Sequence, residues 1–187
     1  MLSEYSLLFL RGPALATRVR RTLRFSKRLR GIAMRNVEKM TKAEVVDAQR
    51  AWAEAVVAQD VETLLALYDF GSPDAPLLFK PTLADVIRLD EAGARSYFIG
   101  GDSAYPHDNG FLKNGWKHVE FRSAAGPILE ANGLGYKDMG QYDFINANDD
   151  ITRADYTFAY HKVDGKVLIT LHHSSLTWVP PVGNGVR

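Results

Sequence analysis

The sequence contains no cysteine. Disulfides and thiolate metal sites are therefore excluded, and cysteine usage gives no reading of the redox compartment. Histidine is sparse: His107, His118, His161, His172 and His173. There is no HxH pair and no HExxH helix motif. A catalytic zinc takes three protein ligands and an open position, and adjacent His172 and His173 point to opposite faces of a regular strand. No GxGxxG or Walker loop is present. Gly100-Gly101 and Gly133-Leu134-Gly135 lack a phosphate-loop context and read as turns. Asn146 to Asp155 is acidic but lacks the glycine and terminal glutamate of an EF-hand loop, so it reads as a solvated turn. Long apolar runs are missing too. Leu7-Leu8-Phe9-Leu10 is too short to span a membrane.

Acidic residues are almost absent from the first 35 positions. Nine of the 23 Lys/Arg fall there against one acid, Glu4, which leaves 14 basic and 21 acidic residues beyond and a net charge of −7. An acidic body argues against broad contact with a phosphate backbone. The basic segment 1–35 has three readings. It fits an organelle transit peptide. It fits a translated upstream stretch with Met34 or Met40 as the start, which would leave a cytoplasmic protein. It also fits a basic arm for a membrane surface or nucleic acid. The charges follow the apolar run, the reverse of a secretory signal. Each reading places 1–35 outside the fold and makes it dispensable for folding.

What is present suits one domain: 46% apolar and 24% charged residues over 187 positions. Thr41 stands three residues before Glu44, a capping-box spacing. Val45, Ala48, Trp52, Ala55 and Val56 then recur at helical intervals, predicting a helix over Thr41–Gln59. Asp60 caps a second helix to Tyr68, and Gly71-Ser72-Pro73-Asp74 ends it. Leu77–Leu83 suits a short strand. Asp90 caps a third helix, Glu91–Ile99, closed by Gly100-Gly101. Alternating runs follow at Trp116–Phe121, Ile128–Asn132, Gly135–Ile145, Ile151–Lys162 and Val167–Trp178, with Asp164-Gly165 as a hairpin turn. Helices segregated from strands imply an α+β fold, a curved antiparallel sheet around the long first helix. That arrangement leaves a cone with an open mouth.

The last strand, VLITLHHSSLTW, ends in four polar side chains. Alternation puts His173 and Ser175 on one face with Ile169 and Leu171, and His172 and Ser174 on the other. An imidazole and a hydroxyl entering an apolar pocket together point to small-molecule chemistry. The plain alternative is a satisfied rim or core histidine. A β-bulge near the HHSS run would reverse the assignment. Tyr156, Phe158 and Tyr160 share a face and serve as wall or interface.

Trp52–Leu67, Lys80-Pro81-Thr82-Leu83, Ser96-Tyr97-Phe98, the GFLKNGW loop, DYTFAY and LHHSSLTW together resemble the iota-class carbonic anhydrases. These belong to the NTF2-like superfamily, near the association domain of calmodulin-dependent kinase II. The resemblance spans residues 41–179, with 180–187 as a tail. It implies an NTF2-like cone and reversible hydration of carbon dioxide to bicarbonate. By motif it implies a site of Thr82, Tyr97, His173 and Ser175. Some members work without metal and others use zinc or manganese. The lack of a local ligand motif here favours no cofactor, with zinc or manganese as the alternative. SSLTW departs from the SSLPY of many relatives just beyond that site. The competing readings are a non-catalytic association module and another small-molecule NTF2-like enzyme, an isomerase or hydrolase, which an Asp or Glu base would favour. A homodimer is expected, with neither nucleic acid nor a membrane span as partner.

Overall fold

The computed structural model describes residues 35–71 and 76–180. The expectations for the basic segment before residue 35 and for the tail beyond 180 lie outside the described residues. Within the unit from Arg35 onward, strand β1 (Val37–Glu38) precedes helix α1 (Lys42–Ala58) and helix α2 (Val61–Leu65). Strand β2 (Leu78–Lys80), helix α3 (Glu91–Ile99) and a 3₁₀ turn (Phe111–Asn114) follow. Strands β3 (Trp116–Ser123), β4 (Ile128–Leu129), β5 (Gly135–Asn146), β6 (Ile151–Val163) and β7 (Lys166–Leu176) complete it. No helix among the described residues is long and apolar enough to cross a membrane.

Local chemistry sets the helix ends as expected. The Thr41 side chain accepts from the Glu44 N–H while Glu44 reaches back to the Thr41 N–H, so two orphan donors are satisfied reciprocally. Gln59 closes α1 in the left-handed region at φ 56°. Asp60 and Asp90 cap α2 and α3 by accepting from Thr63 and Gly93 N–H groups. α2 is shorter than its apolar pattern: after Leu65 the chain turns extended, and Tyr68 bridges to Ile169 of β7.

The seven strands form one curved, unclosed sheet in the order β2-β7-β6-β5-β3, with β1 added on β6 and β4 on β5. All pairings are antiparallel except β2 with β7, which is parallel. A parallel pair needs a long crossover, and here α3 and five strands, β3 to β7 itself, follow β2 before the two meet. Packing begins ahead of Thr41, because Val37 pairs with Val163, Met40 is buried, and Arg35 bonds Asp69 at 2.8 Å.

The concave face of the sheet holds the core. Trp52 of α1 lies flat on Tyr142 with ring centroids 5.9 Å apart and meets Phe121, Phe144 and Phe158 edge-on. Tyr156, Phe158 and Tyr160 all point inward and are buried, so they are wall rather than interface. Burying aromatic rings at this density gives the domain most of its apolar drive, about 1.5–3 kcal/mol for each large side chain.

Candidate active site

The strand that carries the HHSS run does not alternate evenly. In the β6–β7 ladder Tyr160 faces Ile169 and Ala159 faces Leu171, so Thr170 is an extra residue with no partner. Its hydroxyl donates to the Ala159 carbonyl at 3.2 Å. This bulge places two successive residues, Thr170 and Leu171, off the core face and reverses the phase of everything beyond. His172 and Ser174 therefore enter the core, 3% and 1% exposed, opposite Phe158 and Tyr156. His173 is exposed and Ser175 half-buried on the outer face. The expectation that His173 and Ser175 line the pocket is thus corrected: Ile169 shares its face with His172, and Leu171 does not.

His172 is clamped flat between Phe158 at 4.1 Å and Phe79 of β2 at 4.8 Å. Both ring nitrogens are used. Tyr68 Oη lies 2.9 Å from Nδ1 and Tyr142 Oη 3.2 Å from Nε2. The directed hydrogen bonds at the two ends fix the tautomer of the imidazole. Trp52 Nε1, which can only donate, reaches Tyr68 Oη at 3.0 Å. Tyr68 then donates to Nδ1 of His172. At the far end Tyr142 donates to Ser174 Oγ at 2.5 Å, so it accepts from an Nε2–H of His172. The two ends demand the same tautomer. Ser174 Oγ and Thr82 Oγ1 share a hydrogen bond at 2.5 Å in which either hydroxyl can donate.

Burial pushes the His172 pKa well below that of free imidazole, with a smaller push from His173, so the ring is neutral. Burial likewise raises the phenols of Tyr68, Tyr97 and Tyr142 above the ordinary tyrosine value. The network therefore consists of uncharged donors and acceptors.

Tyr97, on α3, is the remaining member. Its side chain is buried and its hydroxyl has no hydrogen-bond partner within the protein. An orphaned buried hydroxyl costs about 1–3 kcal/mol, which a fold tolerates where a ligand or water completes the bond. Tyr97, Thr82, Tyr142 and His172 meet around a cavity walled by Trp52 and the rings of Phe79, Phe98, Phe111 and Phe144. Its free space is about 10 Å³, room for roughly one water-sized molecule. No carboxylate lines it.

The structure thus brings together Thr82 and Tyr97 as expected, substitutes His172 and Ser174 for their neighbours, and adds Tyr142, Tyr68 and Trp52. Tyr142 was visible only as an alternating aromatic of β5; nothing in its local pattern marks it as polar machinery. A metal does not fit the cavity. Its single histidine has both nitrogens committed, and the other side chains are hydroxyls and aromatic rings. Among the described residues no group of three or more His, Cys, Asp or Glu could hold an ion.

Fold and site together define an NTF2-like domain whose cone encloses a small polar pocket. A solved NTF2-like protein of unknown function from Shewanella oneidensis shares this fold at a TM-score of 0.53 and 17% identity, over 73% of this chain and 99% of that one. The family model for metal-independent carbonic anhydrase matches residues 43–176, and the chain belongs to that family, iota-class carbonate dehydratases of the lyase type. It is 36% identical to a metal-independent carbonic anhydrase from Nostoc sp., over 74% of this chain and 75% of the relative. The crystal structure of a cyanobacterial iota-carbonic anhydrase complexed with bicarbonate is similar at a TM-score of 0.67 and 34% identity, covering 75% of this chain and 94% of that chain.

Proposed function

We propose that this chain hydrates carbon dioxide reversibly beside Tyr97, where the inner cavity meets a pocket of about 240 Å³ that shares Tyr97 and Phe111 with it, without a metal, using Thr82, Tyr97, Tyr142, His172 and Ser174. The observation that carries this reading is the Tyr97 hydroxyl, buried and unpartnered, lining a water-sized cavity together with Thr82. Carbon dioxide is apolar and linear, and the ring walls accept it dry. As a water oxygen adds to carbon, negative charge grows on the two carbonyl oxygens. The Tyr97 and Thr82 hydroxyls already border that place, so little reorganisation is needed when charge develops. The chain of bonds from Trp52 to Thr82 polarises the hydroxyls along it and holds them in place.

In this reading His172 is a fixed neutral link. Its Nδ1 lone pair is filled by Tyr68 and its Nε2 carries a proton, so it orients the hydroxyls and takes no proton itself. The committed nitrogens support a metal-free site, as does the metal independence that the family's description states. Bicarbonate in the cyanobacterial relative supports the substrate. The absence of a cavity carboxylate disfavours an isomerase or hydrolase with an Asp or Glu base. A homodimer through the outer face of the sheet belongs to the same proposal, supported by Met139, 61% exposed on that face.

The test is carbon dioxide hydration by metal-stripped protein, with metal content measured alongside, in the wild type and in Tyr97→Phe. Activity persisting without metal and falling about 10²-fold in the variant is the expected result. Activity that vanished with a chelator and returned with zinc or manganese would overturn the metal-free reading. A rate no faster than buffer would overturn the enzymatic one.

A further inference from the structure

Arg88 and Asp108 form an ion pair at 2.8 Å, with side chains 1% and 3% exposed. Taking both charges out of water is costly, and among the described residues Arg88 Nε and Nη1 find no hydrogen-bond acceptor. An apolar pair of the same shape commonly stabilises a fold as well or better. A buried pair with two donors left over is therefore poorly explained by stability. What it supplies is direction.

Each end of the pair is anchored. The Arg88 backbone exchanges hydrogen bonds with Phe79 at 3.0 and 2.7 Å, and its guanidinium lies 3.8 Å from the centre of the Tyr105 ring. Phe79 is the ring stacked on His172. Asp108 accepts from Arg88 on one oxygen and from Ser96 Oγ on the other, at 2.7 Å. Ser96 immediately precedes Tyr97 on α3. The loop after Asp108 runs so close to the end of that helix that a Cβ on Gly110 would stand 2.8 Å from the Ile99 carbonyl oxygen. That approach delivers Phe111 onto the Tyr97 ring, stacked at 5.5 Å and 17°. Tyr97 is thus gripped through Ser96 on its own helix and through Phe111 on the loop, and both grips meet at Asp108.

We propose that Asp108, held by Arg88, is the positioning residue of Tyr97: it fixes α3 against the Asp108–Phe111 loop so that the phenol hydroxyl stays in the cavity with Thr82. The inference rests on the carbonic anhydrase reading above. Without the clamp, helix and loop are free to slide, and a displacement of about 1 Å at a reacting group costs up to about 10²-fold in rate. The Asp108 charge also adds to burial in keeping the proton on the Tyr97 oxygen, as a donor to a developing anion requires.

The test is a double-mutant cycle on kcat/KM for hydration with wild type, Ser96→Ala, Tyr97→Phe and the two together, alongside a crystal structure of Ser96→Ala. Ser96→Ala removes the tie to α3 and leaves the ion pair intact. The expected result is a fall of about 10-fold in the wild-type background and of less than about twofold beside Tyr97→Phe, because the hydroxyl being positioned is already gone. The crystal structure should show the Tyr97 hydroxyl displaced from Thr82. A second variant, Arg88→Met with Asp108→Leu, should resist urea as the wild type does and still lose at least as much activity. With an active wild type, any one of three results overturns the inference alone: wild-type rates in Ser96→Ala or in the folded apolar pair, equal losses in both backgrounds of the cycle, or an undisplaced Tyr97. A wild type that does not hydrate carbon dioxide overturns the enzyme reading and this inference with it.

Discussion

The two faces of β7 carry the same pair of residues in opposite circumstances. On the inner face His172 sits between two rings with both nitrogens bonded, and Ser174 joins Tyr142 to Thr82. On the outer face, one position along, His173 is exposed and Ser175 half-buried. Identical side chains form a buried hydrogen-bonded network on one side and surface on the other. One unpaired residue, Thr170, decides which is which. The lesson is that a site motif on a strand is read by its phase, and phase is set by the ladder some residues earlier.

Stability separates the faces most. His172→Ala empties a slot between stacked rings and leaves the Tyr68 O–H without its acceptor. Cavity and desolvation costs together predict a loss of about 3–5 kcal/mol. His173→Ala should change stability by less than about 0.5 kcal/mol. Urea denaturation of both variants checks this, and comparable losses would break the comparison.

Acid should act on the inner histidine. The folded pKa of His172 is depressed, so below the unfolded value of about 6.5 the unfolded chain binds a proton that the native chain refuses. Stability is then fully present above about pH 6.5 and falls as pH drops toward the depressed folded value, by about 1.4 kcal/mol per unit from this group. Denaturation at pH 7 and pH 5 in wild type and His173→Ala should show the same slope. A flat profile in both would mean that the inner ring is hydrated and protonates freely.

Much of the fold was legible because its signals are local. The Thr41–Glu44 capping box, the Asp90 cap and the Asp164-Gly165 turn each satisfy backbone groups within four residues, so residue type reports them directly. Membership in the family was legible from motifs spread along the chain, and Thr82 and Tyr97 came with it. The phase of HHSS was not legible, because a bulge depends on what the neighbouring strand offers: Ala159 gives Thr170 a carbonyl to bond, and Tyr160 holds Ile169 inward. Tyr142 and Tyr68 escaped for a similar reason. Each looks like an ordinary core aromatic until the fold brings its hydroxyl to His172. The parallel pairing of β2 with β7 is a third case, a contact between segments too far apart for any local pattern to carry.

The central claim is that the inward serine, held between Tyr142 and Thr82, belongs to the catalytic network while its neighbour does not. Kinetics of Ser174→Ala and Ser175→Ala, measured side by side by stopped-flow hydration with folding checked by circular dichroism, test it directly. Removing Ser174 cuts the link that orients Thr82, and the account predicts a fall in kcat/KM of about 10²-fold, with Ser175→Ala within a factor of about two of wild type. Equal losses in the two variants, or a larger loss for Ser175→Ala, would contradict it.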